Sequence, residues 1–352
     1  MLYETLQLNN KRILVTGAAG FIGANLVRKL MAEYPGCRIV GVDNLNDYYD
    51  VSLKQHRLAL IEAEAGEGQW LFWKGDIANK PFLENLFDRY SFDVVVNLAA
   101  QAGVRYSIDH PDVYMESNVI GFYNILECCR HYPVEHLVYA SSSSVYGSNQ
   151  KVPYSIEDRV DNPVSLYAAT KKTNELMAHT YSKLYNIPTT GLRFFTVYGP
   201  AGRPDMAYFS FTNKLLRGDT IEIFNYGNCQ RDFTYVDDIV EGVRRVMTRP
   251  SEEKVPYRIY NIGNSAPENL LDFVDTLQQE LIAAGVLPES YDFEAHKRLV
   301  PMQPGDVVAT YADVSELVRD TGFRPQTSLR EGLRRFARWY RAFYGPGKDD
   351  AE

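Results

Sequence analysis

Two residues in the stretch SLYAATKK, Tyr167 and Lys171, have the types and spacing of a proton-transfer pair. On a helix, residues four apart lie on one face, one turn from each other. A phenol titrates near pH 10 in water, too high for a base at neutral pH. A nearby ammonium stabilises the phenolate and lowers that value, so Tyr167 becomes able to take a proton with Lys171 beside it. The same spacing also describes an aromatic core residue flanked by a lysine stem, so the neighbouring segments decide between the two readings.

The nearest of those segments is SSSSVYG, residues 141 to 147, directly behind the apolar run HLVYA. Hydroxyls at the end of a buried strand can hold an alcohol oxygen and relay a proton. Strand alternation turns Ser142 and Ser144 one way and Ser141 and Ser143 the other. Far upstream, TGAAGFIG places Gly17, Gly20 and Gly23 between an apolar strand, RILVT, and an amphipathic helix. In that context the first glycine permits a tight turn, the second lets backbone amides approach a pyrophosphate, and the third lets helix and strand pack closely. Glycines at this spacing can also mark no more than a turn. Asp43 favours the dinucleotide, because it ends the second apolar run twenty residues after Gly23, where a carboxylate accepts from both ribose hydroxyls and repels a 2′-phosphate. The cofactor expected is NAD.

The elements that must position these groups alternate. Strands are expected at 12–17, 38–43, 70–75, 93–99, 136–141 and 189–194, and helices at 21–33, 80–90, 111–131 and 164–185. This alternation is the signature of an α/β fold with a doubly wound parallel sheet. After about residue 195 it weakens into segments rich in Gly, Pro and Asn, the composition of a smaller α/β substrate lobe. PYRIYNIG, at 256–263, again reads as a buried strand that returns to the first sheet. The expected division is a dinucleotide domain over 1–194, rejoined at about 235–263, and a substrate lobe from 195–234 and 264–352.

Composition narrows the function classes. The 352 residues are 45% hydrophobic and 23% charged, as in ordinary globular proteins, with 25 tyrosines as the unusual feature. A net charge of −8 argues against nucleic acid or anionic membrane as partner. No run approaches the roughly 18 apolar residues of a membrane span, and the first residues lack the basic-then-apolar order of a signal peptide. The expected location is cytoplasmic. Cys37, Cys128, Cys129 and Cys229 include an adjacent pair and no C-x-x-C, so they read as buried small hydrophobes, with no disulfide framework and no metal site.

TGAAGFIG, SSSSVYG and YAATK, in this order and at these distances, resemble the extended short-chain dehydrogenase/reductase family that acts on nucleotide sugars. RDFTYVDDIV and QPGD extend the resemblance over nearly the whole chain. It implies a Rossmann-type fold, tightly held NAD, and a UDP- or dTDP-sugar whose hydroxyl proton goes to Tyr167 while the C4 hydride goes to NAD. It also implies that Ser142 belongs to a catalytic Ser/Tyr/Lys set and that Ser144 supplies a second hydroxyl near C4. Phe21, Ile22 and Asn44 join the glycines and Asp43 around NAD, Asp76 and Ile77 lie near the adenine, and Leu98 and Asn118 lie along the cofactor. Arg231 pairs with the diphosphate, helped by Lys297 or Arg298 because Gln303 stands where similar galactose enzymes carry arginine. Asp306 meets the uridine ribose. Relatives often form homodimers through the helices corresponding to 111–131 and 164–185, and many serve polysaccharide biosynthesis.

Within that family, similar dehydratases and decarboxylases carry an acidic side chain just before VYG, where this chain has Ser143 and Ser144. Hydroxyls cannot replace a carboxylate base at neutral pH, which favours simple 4-epimerisation. DNLNDYYDVSLK, QAGVRYS and RFFTVYGPAGRPDMA resemble UDP-glucuronate 4-epimerases, and this resemblance assigns Thr196, Arg203 and Arg105 to a sugar carboxylate. Without its motif, Arg203 would read equally well as a solvated loop residue. The alternatives are a 4-epimerase of neutral UDP-hexoses, a UDP-glucuronate decarboxylase, and a non-enzymatic NAD-sensing protein. The last commonly lacks the tyrosine or lysine, and both are present here.

Overall fold

The structure is a computed structural model that describes residues 5–302 and 309–345. In chain order the first half contains β1 (Arg12–Thr16), α1 (Phe21–Glu33), β2 (Arg38–Asp43), α2 (Val51–Glu64), β3 (Trp70–Lys74), α3 (Lys80–Tyr90) and β4 (Val94–Asn97). It continues with α4 (Tyr106–Asp109), α5 (Pro111–Tyr114), α6 (Gly121–His131), β5 (His136–Ser142), α7 (Leu166–Tyr185) and β6 (Thr189–Phe194). The second half contains β7 (Thr196–Tyr198), α8 (Ala207–Leu216), β8 (Ile221–Ile223), β9 (Gln230–Tyr235), α9 (Val236–Met247) and β10 (Tyr257–Ile262). It ends with β11 (Pro267–Asn269), α10 (Leu270–Ala283), β12 (Lys297–Leu299), β13 (Ala309–Thr310), α11 (Ser315–Thr321) and α12 (Leu329–Tyr344).

Seven parallel strands lie side by side in the order β3-β2-β1-β4-β5-β6-β10. Every residue of β4 and of β6 is buried, as expected for strands covered on both faces; the one charge among them, Arg193 of β6, is paired with Glu175. Leu26, Val27 and Leu30 of α1 pack with Val240 and Val243 of α9 in one core, while Leu83 and Leu86 of α3, Leu126 of α6 and Ala178 of α7 belong to the other. The winding reverses between β1 and β4, so a crevice opens beyond the carboxyl ends of these strands. Thr16 Oγ1 donates to Asn97 Oδ1 at 2.6 Å and accepts from Ala99 N at 3.2 Å, which ties the two turns that border that crevice. β9 holds a smaller sheet together, pairing with β7, β11 and β13, and β8 pairs with β12.

Two local departures from the expected elements shape the site. Helix 111–131 is not continuous: Met115–Ile120 forms a π-type turn between α5 and α6. Such wide turns often occur where a side chain must be aimed, and this one carries Asn118. After the loop that follows β2 comes a helix absent from the expected set, α2, which Asp50 caps by accepting from Ser52 N. In α2, apolar residues are diluted by Lys54, Gln55, Arg57 and Glu62, so its periodicity is weak. Arg57 is buried and donates to Ala19 O at 3.0 Å and to Ala201 O at 2.6 Å, joining the glycine turn to the loop after β7.

Candidate active site

The crevice contains a cavity of about 450 Å³ lined by Gly17, Gly20, Gly23, Asp43, Ser142, Tyr167, Lys171 and Arg203 among others, so segments nearly two hundred positions apart meet in one space. Gly17 has φ +70°, and a Cβ there would lie 2.8 Å from Ala99 N. A Cβ on Gly23 would lie 2.1 Å from Gly17 O, which leaves that position to glycine. Gly20 caps α1 without a side-chain hydrogen bond, so the first amides of the helix remain for an anion. Phe21 and Ile22 line the cavity beside them.

At the tip of β2, Asp43 accepts from Ala19 N through Oδ2 (3.1 Å) and from Leu45 N through Oδ1 (2.9 Å). Each oxygen keeps a lone pair for a ribose hydroxyl. Asn44 donates to Asp76 Oδ2 at 2.8 Å, and Asp76 Oδ1 accepts from Ala78 N, which fixes the wall that includes Ile77. Leu98 also lines the cavity. The cradle that added Cβ atoms would fill, the open helix start and the buried carboxylate fit a dinucleotide.

At the other end, β5 carries Ser141 and Ser142, and Ser143–Tyr146 folds into a single 3-10 turn. Ser142 Oγ accepts from Ser144 N and lies 3.1 Å from Ser144 Oγ, so the two hydroxyls form one unit. All four serines border the cavity, and Ser141 also donates to Glu175 Oε1 at 2.7 Å. Glu175 is buried and takes two bonds from Arg193, at 2.9 and 3.0 Å. Arg193 also donates to Tyr146 OH at 3.0 Å, and Tyr146 donates to Asn261 Oδ1 at 2.6 Å. A buried pair with this geometry fixes α7 against the serine turn, and removing one partner would leave an unpaired charge costing about 3–5 kcal/mol.

Ser165 caps α7 by accepting from Ala168 N at 3.1 Å, which sets Tyr167 and Lys171 on its first turns. The Tyr167 phenol and Ser142 both line this end of the cavity. Burial raises its pKa, against lowering by Ser142 and by the Arg203 charge, while Asp205 adds to the rise. The direct lysine–phenol support expected from spacing is replaced here by Ser142 and Arg203. Lys171 Nζ donates instead to Ala140 O at 2.9 Å, because the buried ammonium takes the strand-end carbonyl within its reach. Burial pushes Lys171 down to about 8, which leaves it mostly protonated at neutral pH.

Thr196 and Arg203 line the cavity beyond the serines. Asn118 stands behind the wall rather than in it: its Oδ1 accepts from Gln101 N at 2.8 Å and its Nδ2 donates to Gln101 O at 3.0 Å, holding a loop that lines the cavity. Arg105 and Arg231 are not among the lining residues. Arg105 lies over the Phe224 ring at 5.8 Å, and Arg231, on β9, donates to Gln230 O. Lys297 and Arg298 are ion-paired with Glu294 and Glu222. Asp306 and Gln303 lie outside the described residues.

Lining residues that the sequence reading did not single out include Asn46, Tyr48, Lys54 and Gln101. Lys54 is buried and donates to Asn46 O and Oδ1 at 2.8 and 2.7 Å, with burial lowering its pKa. Its only signal is its place in the first turn of α2, just after the Asp50 cap. Among the described residues, no helix is long and apolar enough to cross a membrane, and no group of His, Cys, Asp or Glu is arranged to hold a metal ion.

The fold and cradle define a dinucleotide-dependent α/β protein with its reacting groups at the switch in strand order. The chain belongs to the NAD dependent epimerase/dehydratase family, whose profile matches residues 13–263. It is 49% identical to Protein CapI of Staphylococcus aureus, over 95% of this chain and 99% of that one. It is 44% identical to UDP-glucuronate 4-epimerase 4 of Arabidopsis thaliana, over 97% of this chain and 78% of that one. A crystal structure of UDP-glucuronic acid 4-epimerase from Bacillus cereus, in complex with UDP-glucuronic acid and NAD, superposes with a TM-score of 0.82 at 31% identity, covering 95% of this chain and all of that one.

Proposed function

We propose that this chain, an NAD-dependent nucleotide-sugar 4-epimerase, interconverts UDP-glucuronate and UDP-galacturonate. The observation that carries the reading is Arg203, with Thr196, in the cavity beyond the serine turn, where a guanidinium can take a sugar carboxylate. Similarity to UDP-glucuronate 4-epimerases supports it.

NAD, held by the glycine turn and Asp43, would supply the hydride exchange at C4 of the sugar. Tyr167 takes the C4 hydroxyl proton as the ketone forms and gives it back as the hydroxyl re-forms. Ser142 and Ser144 hold the C4 oxygen within reach of that phenol, and Lys171 keeps an ammonium fixed at the end of β5. No carboxylate stands at 143 or 144 to drive elimination. Oxidation at C4 turns a uronic acid into a β-keto acid, which loses carbon dioxide when its carboxylate stands perpendicular to the ketone plane. Arg203 and Thr196 would hold it out of that orientation.

A neutral UDP-hexose is the second reading, favoured by Asp205, which already pairs with Arg203. Chromatography of reactions with UDP-glucuronate, UDP-glucose and UDP-N-acetylglucosamine separates the two. UDP-galacturonate formed without net NADH is the expected product; a UDP-pentose, or turnover of the neutral sugars alone, would refute the uronate reading.

We also propose that two copies pair through the outer faces of the Met115–Ile120 turn, α6 and α7. Met115, Ile120, Tyr123, Leu176 and Leu184 are exposed there, an apolar set that a monomer would leave in water. Sedimentation at micromolar concentration should give twice the 40.1 kDa chain mass, and a monomer would count against the pairing.

A further inference from the structure

Asp205 lies two residues after Arg203, in the turn closed by Met206 N donating to Arg203 O at 3.2 Å. Its carboxylate accepts from Arg203 Nε at 3.0 Å and from Nη2 at 2.5 Å. Tyr48 OH, from the loop after β2, donates to the same carboxylate at 3.3 Å. Tyr48 is held in turn against the loop after β4, where a Cβ on Gly103 would lie 2.9 Å from its hydroxyl. Arg203 and Tyr48 line the cavity, while Asp205 does not and is exposed to solvent. A guanidinium has five N–H groups in a fixed plane. The fork to Asp205 uses one on Nε and one on Nη2, so the edge made by Nη1 and the second Nη2 hydrogen is left for another acceptor.

A 4-epimerase must show both faces of one keto-sugar to the same side of its cofactor, so the ring turns over between the two transfers. In a uronic acid the C5 carboxylate travels with the ring, and any grip on it has to be let go in mid-reaction. An arginine paired with the sugar alone would then be left as a half-buried charge without a partner, which is costly. We propose that Asp205 is a resident carboxylate that shares Arg203 with the sugar carboxylate, so that the grip is released and remade as the ring turns.

Asp205 is a positioning residue in this scheme, since it acts through Arg203 and not on the reacting atoms. Carboxylates on two edges of one guanidinium repel each other, so Asp205 weakens the hold on the resting substrate and lowers the cost of letting go. The inference rests on the uronate reading above.

The test titrates the NAD-loaded wild type, Asp205→Asn and Asp205→Glu with UDP-glucuronate and UDP-glucose by calorimetry, and measures kcat on UDP-glucuronate. Asp205→Asn is expected to bind UDP-glucuronate about tenfold tighter, to bind UDP-glucose within about twofold of wild type, and to turn over about tenfold more slowly. Asp205→Glu, which restores the charge, should move both values back toward wild type. Unchanged or weaker UDP-glucuronate binding by Asp205→Asn overturns the proposal, as does tighter binding with undiminished kcat. A wild type that turned over UDP-glucose and not UDP-glucuronate would remove the uronate reading, and this proposal with it. A failure confined to the variants leaves that reading standing.

Discussion

Tyr167→Phe should lower kcat by about 10³-fold while the protein still carries its NAD, because the change deletes the one proton acceptor and leaves the glycine cradle and Asp43 untouched. The Ser142 hydroxyl and the Arg203 charge both pull the pKa of the phenol down against the effect of burial. A base must be deprotonated to act, so wild-type kcat should rise with pH through the titration of this phenol, and the variant should lose that acid limb. The measurements are kcat against pH and the NAD released on denaturing each protein. A variant that keeps kcat within about tenfold of wild type would remove Tyr167 from the mechanism.

Arg203→Ala should cost about 10²-fold in kcat/KM for UDP-glucuronate, the scale for removing one side of a desolvated charge pair. It should also shift the acid limb of the pH profile to higher pH, because the lost positive charge favoured the phenolate of Tyr167. This double effect is specific to a group that faces both the sugar and the base. A third readout is chemical: with the carboxylate no longer held, a larger share of product should appear as UDP-pentose. Equal losses on UDP-glucose and UDP-glucuronate, with an unshifted pH profile, would show that Arg203 serves the loop and not the carboxylate.

What could be read from the sequence was what local pattern encodes. The turn at Gly17, the close approach at Gly23 and the carboxylate at the end of β2 each follow from a few neighbouring residues, and the structure brings all three to one cavity. The parallel sheet was legible for the same reason, since strands buried on both faces leave unbroken apolar runs. What escaped depends on distant approach. Spacing put Lys171 on the face of Tyr167 but could not show that its ammonium would reach the Ala140 carbonyl, 31 positions earlier. Tyr48 meets Asp205 across 157 positions, and nothing in DNLNDYYDVSLK announces that contact. The break at Met115–Ile120 is hidden because a single wider turn inside a helical stretch is too short to establish a period of its own. Arg105 and Arg231, assigned by resemblance, lie outside the cavity lining.

The bond from Tyr146 to Asn261 also sets an order in time. Every cradle residue from Gly17 to Ile77 leaves the ribosome early, and so do the serines, Tyr167 and Lys171. Asn261, which anchors the serine turn through Tyr146, sits on the last strand to enter the main sheet. A chain whose synthesis has reached only the end of α9 therefore already holds the cofactor cradle, the proton-transfer groups and the Arg193 side of the serine turn's support, and still lacks the Asn261 side.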